Sequence, residues 1–528
     1  MPNPKARPCD EAAIRATTPA AGCTKSAKPW VLAVTILAST ISYIDESVVN
    51  VALPTIEADL RTSAAATQWL INAYMLVLTA LVLVGGAAGD RLGRRRVLIA
   101  GIGLFAAASL WCGLSPSISS LIVARAVQGA GAALLIPCSL AIIGATFDEN
   151  ERGKAIGTWA AFSAIAAAFG PLLGGWIVDH VSWRWIFLIN PFVALPTIAI
   201  AVRHVPESRD PQAAAGLDWR GALLALSGLG SLVYGLIAAP ERGIADTAVL
   251  VALGAGTVLL ALFVWEEQRS RAPMMPLGVF RSRVFSGVNV VTLLLYAALG
   301  GAFFFLPFLL IQVHGFSATL AGASFLPFTV IMAVLSRWSG GLIDRFGARV
   351  PLVIGPAISA CGFALLAAMD TSSYLRLLAP MIVLGFGMAI TVAPLTTTVI
   401  NAVPQHQAGI ASGINNAVAS LASLLAVAIL GAVALSAYNR ALEERLATPT
   451  LSAEVREAVS QARGKFAAEI TLQGDGRKAA LEIVRPALAS GISLALWLAA
   501  ALALLAALCA ALTLGPQIKS APQALKPA

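Results

Sequence analysis

The amino-acid sequence predicts an all-α protein that crosses a membrane fourteen times. Three observations lead there. Of the 528 residues, 58% are hydrophobic and only 12% charged, against about a half and a quarter in soluble domains; mean hydropathy is +0.81. Apolar runs that reach the roughly 20 residues a helix needs to cover the hydrocarbon follow one another along the chain. Lysine and arginine gather in alternate connections, the pattern that orients a multi-span protein.

Taken in order, the first run, 30–53, starts at Trp30 and carries two adjacent acids, Asp45 and Glu46. The second, 67–88, ends in "GDRLGRRR". Spans 97–115 and 120–144 follow, the latter holding Arg125 a few residues in. The fifth, 155–178, contains Gly170-Pro171, and the sixth is 184–203. Spans 219–239 and 246–265 form an inserted pair. The ninth, 285–312, is rich in phenylalanine, and the tenth, 318–341, runs into "GGLIDRFGAR". Spans 349–369, 376–401, 408–434 and 487–514 complete the set, with a long connection at 437–486. The stretches Gly86–Arg96 and Gly340–Arg349 both fit GxxxDRxGxR at one end of a helix. They divide the chain into an N-terminal six-helix half (30–203), two linker helices (219–265) and a C-terminal six-helix half (285–514). Two repeated halves with polar groups near the midplane describe a secondary transporter.

Orientation follows from the basic residues. Arg91, Arg94, Arg95, Arg96, Arg152, Lys154, Arg203, Arg209, Arg269, Arg271, Arg281, Arg283, Arg345 and Arg349 fall in connections on one side; Arg61, Arg184, Arg242 and Arg376 fall on the other. The basic side is the cytoplasmic one. Both termini are then expected inside, as disordered tails at 1–29 and 515–528, and the 437–486 connection outside. Residues 1–29 lack the apolar stretch of a signal peptide. Within the outer connection, "EVREAVSQARGKFAAEI" reads as a surface amphipathic helix.

Composition also excludes classes. A net charge of +9 dispersed among inter-span clusters gives no continuous basic surface, so no nucleic-acid partner is expected. The six cysteines, Cys9, Cys23, Cys112, Cys138, Cys361 and Cys509, show no CxxC spacing, and four histidines make no metal motif, so no metal or other cofactor is expected. The sequence has neither a Walker-type phosphate loop nor a nucleophile–base constellation, so ATP is not expected as its energy source and no enzymatic activity is expected.

The remaining motifs have local physics. In "GDRLGRRR", Gly86 and Gly89 allow close helix approach, Gly93 suits a left-handed turn, and Asp90 can accept from Arg94 or a helix N-terminus as a gate latch. Arg91, Arg94, Arg95 and Arg96 are placed to meet anionic headgroups. Asp344 and Arg345 are the second-half counterparts. Gly170-Pro171 bends its helix, and Gly174 and Gly175 offer a smooth seam that closes a leak path. Arg337, a turn before the tenth span ends, suits snorkelling or gate packing.

These stretches together resemble the major facilitator superfamily, from about Trp30 to Pro516. "GAAGDRLGRRR" is similar to its loop signature, "LIVARAVQGAGAA" to the fourth-helix motif of drug exporters with Arg125, Gln128, Gly129 and Gly131 in place, and "GTWAAFSAIAAAFGPLLGG" to the fifth-helix antiporter motif, with Ala166 where glycine is usual. "WRWIFLINPF" follows that motif in many such exporters, and "DESVVNVALP" resembles the first-helix motif of the fourteen-helix drug:proton antiporter-2 family. The resemblance implies the major facilitator fold, alternating access, a proton site at Asp45 and a cavity-facing Arg125.

On a helix turning 100° per residue, Thr35, Ser39, Ser42, Glu46 and Asn50 share a sector of about 80°, with Asp45 about 100° to one side. Geometry therefore favours Glu46 as the cavity-facing acid while the resemblance favours Asp45, and both stand as proton-coupling candidates with Arg125. Asn72, Tyr74, Gln128, Tyr296, Phe304, Phe308 and Asn415 are candidates for contact with cargo. The expected protein is a monomeric, multi-pass transporter of a bacterial inner membrane. It is expected to exchange protons for lipophilic drugs, biocides or natural products, cationic compounds included. An exporter of a siderophore, sugar, amino acid or lipid, and a non-transporting sensor with the same fold, are the alternatives.

Overall fold

The computed structural model describes residues 27–210, 216–270, 273–339, 341–368, 373–403, 408–447, 451–466, 470 and 472–515. The tails at 1–26 and 516–528, with Cys9 and Cys23, and the side chains of Arg337 and Asp344 lie outside the described residues. The helices are α1 (Lys28–Asp59), α2 (Ala64–Leu92), α3 (Arg94–Leu114), α4 (Ile118–Thr146), α5 (Glu149–His180), α6 (Trp185–His204), α7 (Trp219–Arg242), α8 (Thr247–Arg269), α9 (Arg283–Phe308), α10 (Ala318–Ala323), α11 (Leu326–Ser339), α12 (Leu342–Phe346), α13 (Arg349–Ala368), α14 (Tyr374–Asn401), α15 (Ala408–Leu446), α16 (Ala453–Gln461) and α17 (Gly474–Thr513). Each of the fourteen expected spans is a helix; the tenth is built from α10 and α11 around a turn at Ser324 and Phe325.

Helices α1–α6 pack on one another, α9–α15 and α17 do the same, and α7 pairs with α8. Chain ends, Asp90 and the α4–α5 turn share one face, where Lys28 Nζ bonds Asp148 at 3.0 Å and Arg349 Nη2 donates to Ala511 O at 2.9 Å. This is the terminus face. On the far face Asp59 accepts from Trp183 Nε1 at 2.8 Å and from Arg184 Nη1 at 3.2 Å.

Three element ends differ from the sequence reading. α1 continues through Pro54 to Asp59 rather than ending near residue 53; proline removes only one donor, and buried neighbours keep the rod intact. α15 runs on to Leu446 and α17 begins at Gly474, so much of 437–486 is helix. Among the described residues of the amphipathic stretch, the helix is Ala453–Gln461, capped by Ser452; Gly464, at φ +75°, stands in the turn that follows.

That turn caps the far face. Phe466 is fully buried among Phe304, Phe305 and Phe308 of α9, with ring centroids 6.2, 5.6 and 5.4 Å away. Gly464 O accepts from Ala64 N of α2 at 2.9 Å, while Gly464 N donates to Asn439 Oδ1 of α15 at 3.1 Å. Truncating a buried phenylalanine costs about 3–5 kcal/mol. Phe466→Ala should therefore free this cap, and limited proteolysis from the far face should cut near residue 463 in the variant while sparing the parent.

Candidate functional site

The charged centre lies about halfway along α1. Asp45 and Arg125 are each 1% exposed. Arg125 Nη1 donates to Asp45 Oδ2 at 2.5 Å. The other carboxylate oxygen accepts from Gln128 Nε2 at 2.8 Å and Asn190 Nδ2 at 3.0 Å. Ser109 Oγ accepts from the same two amides, at 3.0 and 2.7 Å. Arg125 also donates to Gln128 Oε1 at 2.8 Å and lies 4.3 Å from the centre of the Tyr74 ring, whose hydroxyl meets Ser42 Oγ at 2.8 Å. A buried carboxylate is tolerated only with such a cation and full hydrogen bonding.

Glycine makes the cluster possible. A side chain on Gly131 would meet Phe105 N at 2.7 Å, and one on Gly129 would run into the carbonyl of Tyr74. Without side chains there, α4 closes on α3 and α2, and Arg125, Gln128 and Tyr74 fall within reach of α1.

Several expected cargo contacts have other partners. Tyr74 and Gln128 belong to the Asp45–Arg125 network. Phe304 and Phe308 are covered by Phe466 rather than lining a pocket, and Phe303 packs on Phe325 and Phe328. Asn415 donates to Asn289 Oδ1 at 3.2 Å and Thr292 Oγ1 at 2.7 Å, joining α15 to α9. Glu46 is half-buried beside this centre, and Tyr296 of α9 is half-buried. The polar sector drawn through Thr35, Ser39, Ser42 and Glu46 is not an open wall: its first three members are 0% exposed, and Ser39 accepts from Trp159 Nε1 at 3.0 Å.

At the terminus face, Asp90 Oδ1 pairs with Arg94 through Nε at 2.8 Å and Nη2 at 2.7 Å. Gly93 turns at φ +114°, where a side chain would meet the Glu207 carboxylate at 2.7 Å. Two expectations are corrected. Close approach to α4 is made by Gly85 and Gly89, whereas a side chain on Gly86 would make only ordinary contact, 3.5 Å from Pro137 Cβ. The guanidinium groups of Arg94 and Arg95 are held by the protein rather than turned to headgroups: Arg94 pairs with Asp90 and donates through Nη1 to Ala141 O at 3.3 Å, and Arg95 Nη1 donates to Val205 O at 2.9 Å. Arg91 is exposed, as is Arg345, the second-half counterpart. Glu207, 5% exposed, was missed because the 205–210 segment has no periodic signal.

On α5, side chains at Gly170 and Gly174 would strike Ser47 and Val48 of α1, the latter at 2.8 Å. Gly175 faces across to α10: a side chain would lie 2.8 Å from Thr319 Cα. Reciprocally, a side chain on Gly322 of α10 would run into the carbonyl of Pro171 and lie 3.0 Å from Leu172 N. Asp179 then accepts from Ala318 N at 3.1 Å and Thr319 N at 2.7 Å. Burial alone would raise the Asp179 carboxyl, but bonds from Thr319 and Ala318 outweigh it and hold it below the usual carboxylate range. The two groups of helices therefore meet tightly at the far face.

Thirteen helices that among the described residues are long and apolar enough to cross a membrane, two packed groups of helices with a buried ion pair in one, and glycine contacts between them define a membrane transporter. The chain belongs to the Major Facilitator Superfamily, whose family model matches residues 35–427. It is 32% identical over 510 residues to the tetracenomycin C resistance and export protein of Streptomyces glaucescens, covering 96% of this chain and 95% of that one. It is 36% identical to the puromycin resistance protein pur8 of Streptomyces alboniger, covering 80% and 85%. It is also 35% identical to the multidrug resistance protein Stp of Mycobacterium tuberculosis, covering 76% and 75%. Among solved structures, a bacterial homolog of the human lysosomal transporter Spinster, in an inward-facing conformation, matches the fold with TM-score 0.65 at 17% identity, covering 94% of this chain and all of that one.

Proposed function

We propose that this protein is a proton-coupled exporter of lipophilic, often cationic compounds in a bacterial inner membrane. It acts as a monomer that uses the proton gradient and no cofactor. The terminus face is cytoplasmic and the far face is outside. The six-helix halves 30–203 and 285–514 rock about the seam between them, with 219–265 as linker helices.

The observation that carries this reading is the Asp45–Arg125 pair. A buried carboxylate that accepts a proton loses its attraction for the guanidinium. The Tyr74 ring and Gln128 Oε1, both already on Arg125, hold that cation while Asp45 is neutral. Proton on Asp45 and cargo in the cavity then exclude one another, so outward cargo flow draws protons inward. Glu46, half-buried beside the pair, adds negative charge that attracts cationic cargo. The Asp90–Arg94 pair and the α5–α10 glycine contacts are the inner and outer gates. Three relatives named for resistance or export support the class of cargo.

The test is uptake into inverted vesicles with an acidic lumen, using tetraphenylphosphonium and puromycin. Both should accumulate, and collapsing the pH gradient should stop it. Uptake of neither compound, or uptake unchanged without the gradient, overturns the reading.

A further inference from the structure

Gln68 and Asn72 stand one turn apart near the outer end of α2, and both are 0% exposed. None of their four amide N and O atoms has a hydrogen-bond partner among the described residues. Thr79 Oγ1, further along the same helix, is in the same condition. At 100° per residue the three lie within a sector of about 40°. That sector looks across the seam at α15. A side chain on Gly431 would meet Gln68 Cδ at 2.7 Å, and one on Gly413 would lie 3.4 Å from Leu83 Cδ2. Between those glycines the same face of α15 presents Leu424 and Val427, both buried and apolar.

Buried amides left without partners are costly, and leucine would pack this seam better. By contrast, the side-chain nitrogens of Asn190 and Asn415 each donate two hydrogen bonds. Gly431 leaves room for the Gln68 head where any larger residue would displace it. The seam joins the two halves, so it parts when the outer face opens, and both carboxamides then line the exit path. Together they offer donors and acceptors without charge, matched to carbonyl, hydroxyl and amide groups rather than to a bare lipophilic cation.

We propose that Gln68 and Asn72 form an outer subsite that binds the neutral hydrogen-bonding groups of the cargo. This rests on the transport function proposed above. Were the amides only a gate, every cargo would be affected alike.

The experiment uses the full chain in proteoliposomes, with puromycin, which carries amide and hydroxyl groups, and tetraphenylphosphonium, which has none. Gln68→Leu and Asn72→Leu should each raise the KM for puromycin by roughly tenfold, with its maximal rate and tetraphenylphosphonium transport within about twofold of the parent. Should the Leu variants fail to insert, Gln68→Asn, which shortens the reach by one methylene, is read the same way and should raise the puromycin KM about threefold. Unchanged puromycin KM, a fall in maximal rate instead, or parallel losses for both cargoes overturns the subsite. So does a parent that moves tetraphenylphosphonium but not puromycin, which leaves the transport reading intact. A parent that moves neither compound counts against the transport reading itself.

Discussion

Replacing Asp45 by Asn should leave the protein in the membrane and reduce gradient-driven uptake to background. The carboxamide introduced there can still accept from Gln128 and Asn190 through its one oxygen, so the local packing survives. Its amide nitrogen, however, would face Arg125 Nη1, donor against donor, where the carboxylate now sits at 2.5 Å. Arg125 would remain buried without its counter-charge, a change that costs about 3–5 kcal/mol when one partner of a buried pair is removed. The variant should therefore melt earlier than the parent and bind cargo without releasing protons. Removing both charges, Asp45→Asn with Arg125→Gln, should restore much of the lost stability but none of the coupling. Glu46→Gln separates the two acids: half-buried and outside the Arg125 bond network, it should weaken cation uptake while keeping its dependence on pH. If Asp45→Asn still accumulates tetraphenylphosphonium against an imposed gradient, the proton site lies elsewhere.

The span pattern and the repeated loop motif were readable from the sequence because lipid imposes a length and a charge bias on every crossing. Asp45 and Arg125 stood out for the same reason: a charge in an apolar run must have a partner. The partner set was harder. Asn190 sits in "WRWIFLINPF" and Ser109 in an otherwise plain third span, and neither residue type announces which helix it will face. Phe304 and Phe308 were misplaced because hydropathy does not distinguish a ring meeting cargo from one meeting Phe466, more than 150 residues away. Gly85, not Gly86, is the glycine on which α4 closes tightly because a one-residue step rotates a helix by 100°, finer than motif matching resolves. Gln68 was overlooked beside Trp69 and Asn72, since its isolation shows only once α15 lies against it.

The seam between α5 and α10 makes the second strong prediction. At Gly175 an added Cβ would run into the carbonyl of Ala318 and come within 2.8 Å of Thr319 Cα. Gly322 stands in the same relation to Pro171 and Leu172. These neighbours are backbone, so no rotamer change relieves the overlap, and the two helices must separate. Gly175→Val should therefore prevent the outer face from closing and bring transport to background. The two halves pack internally by other contacts, so the variant should still fold and reach the membrane. Spin labels at His180 and Leu375, exposed residues on opposite halves of the far face, should report a longer distance than in the parent, and that distance should no longer respond to pH. Gly157 is the control: nothing lies within 4 Å of its Cβ position, so Gly157→Ala should transport like the parent although it belongs to the same motif. Equal losses at Gly157 and Gly175 would mean that backbone flexibility of α5, not the close contact with α10, is what the glycines supply. A Gly175→Val protein with parental uptake would show that the far face need not shut for transport at all.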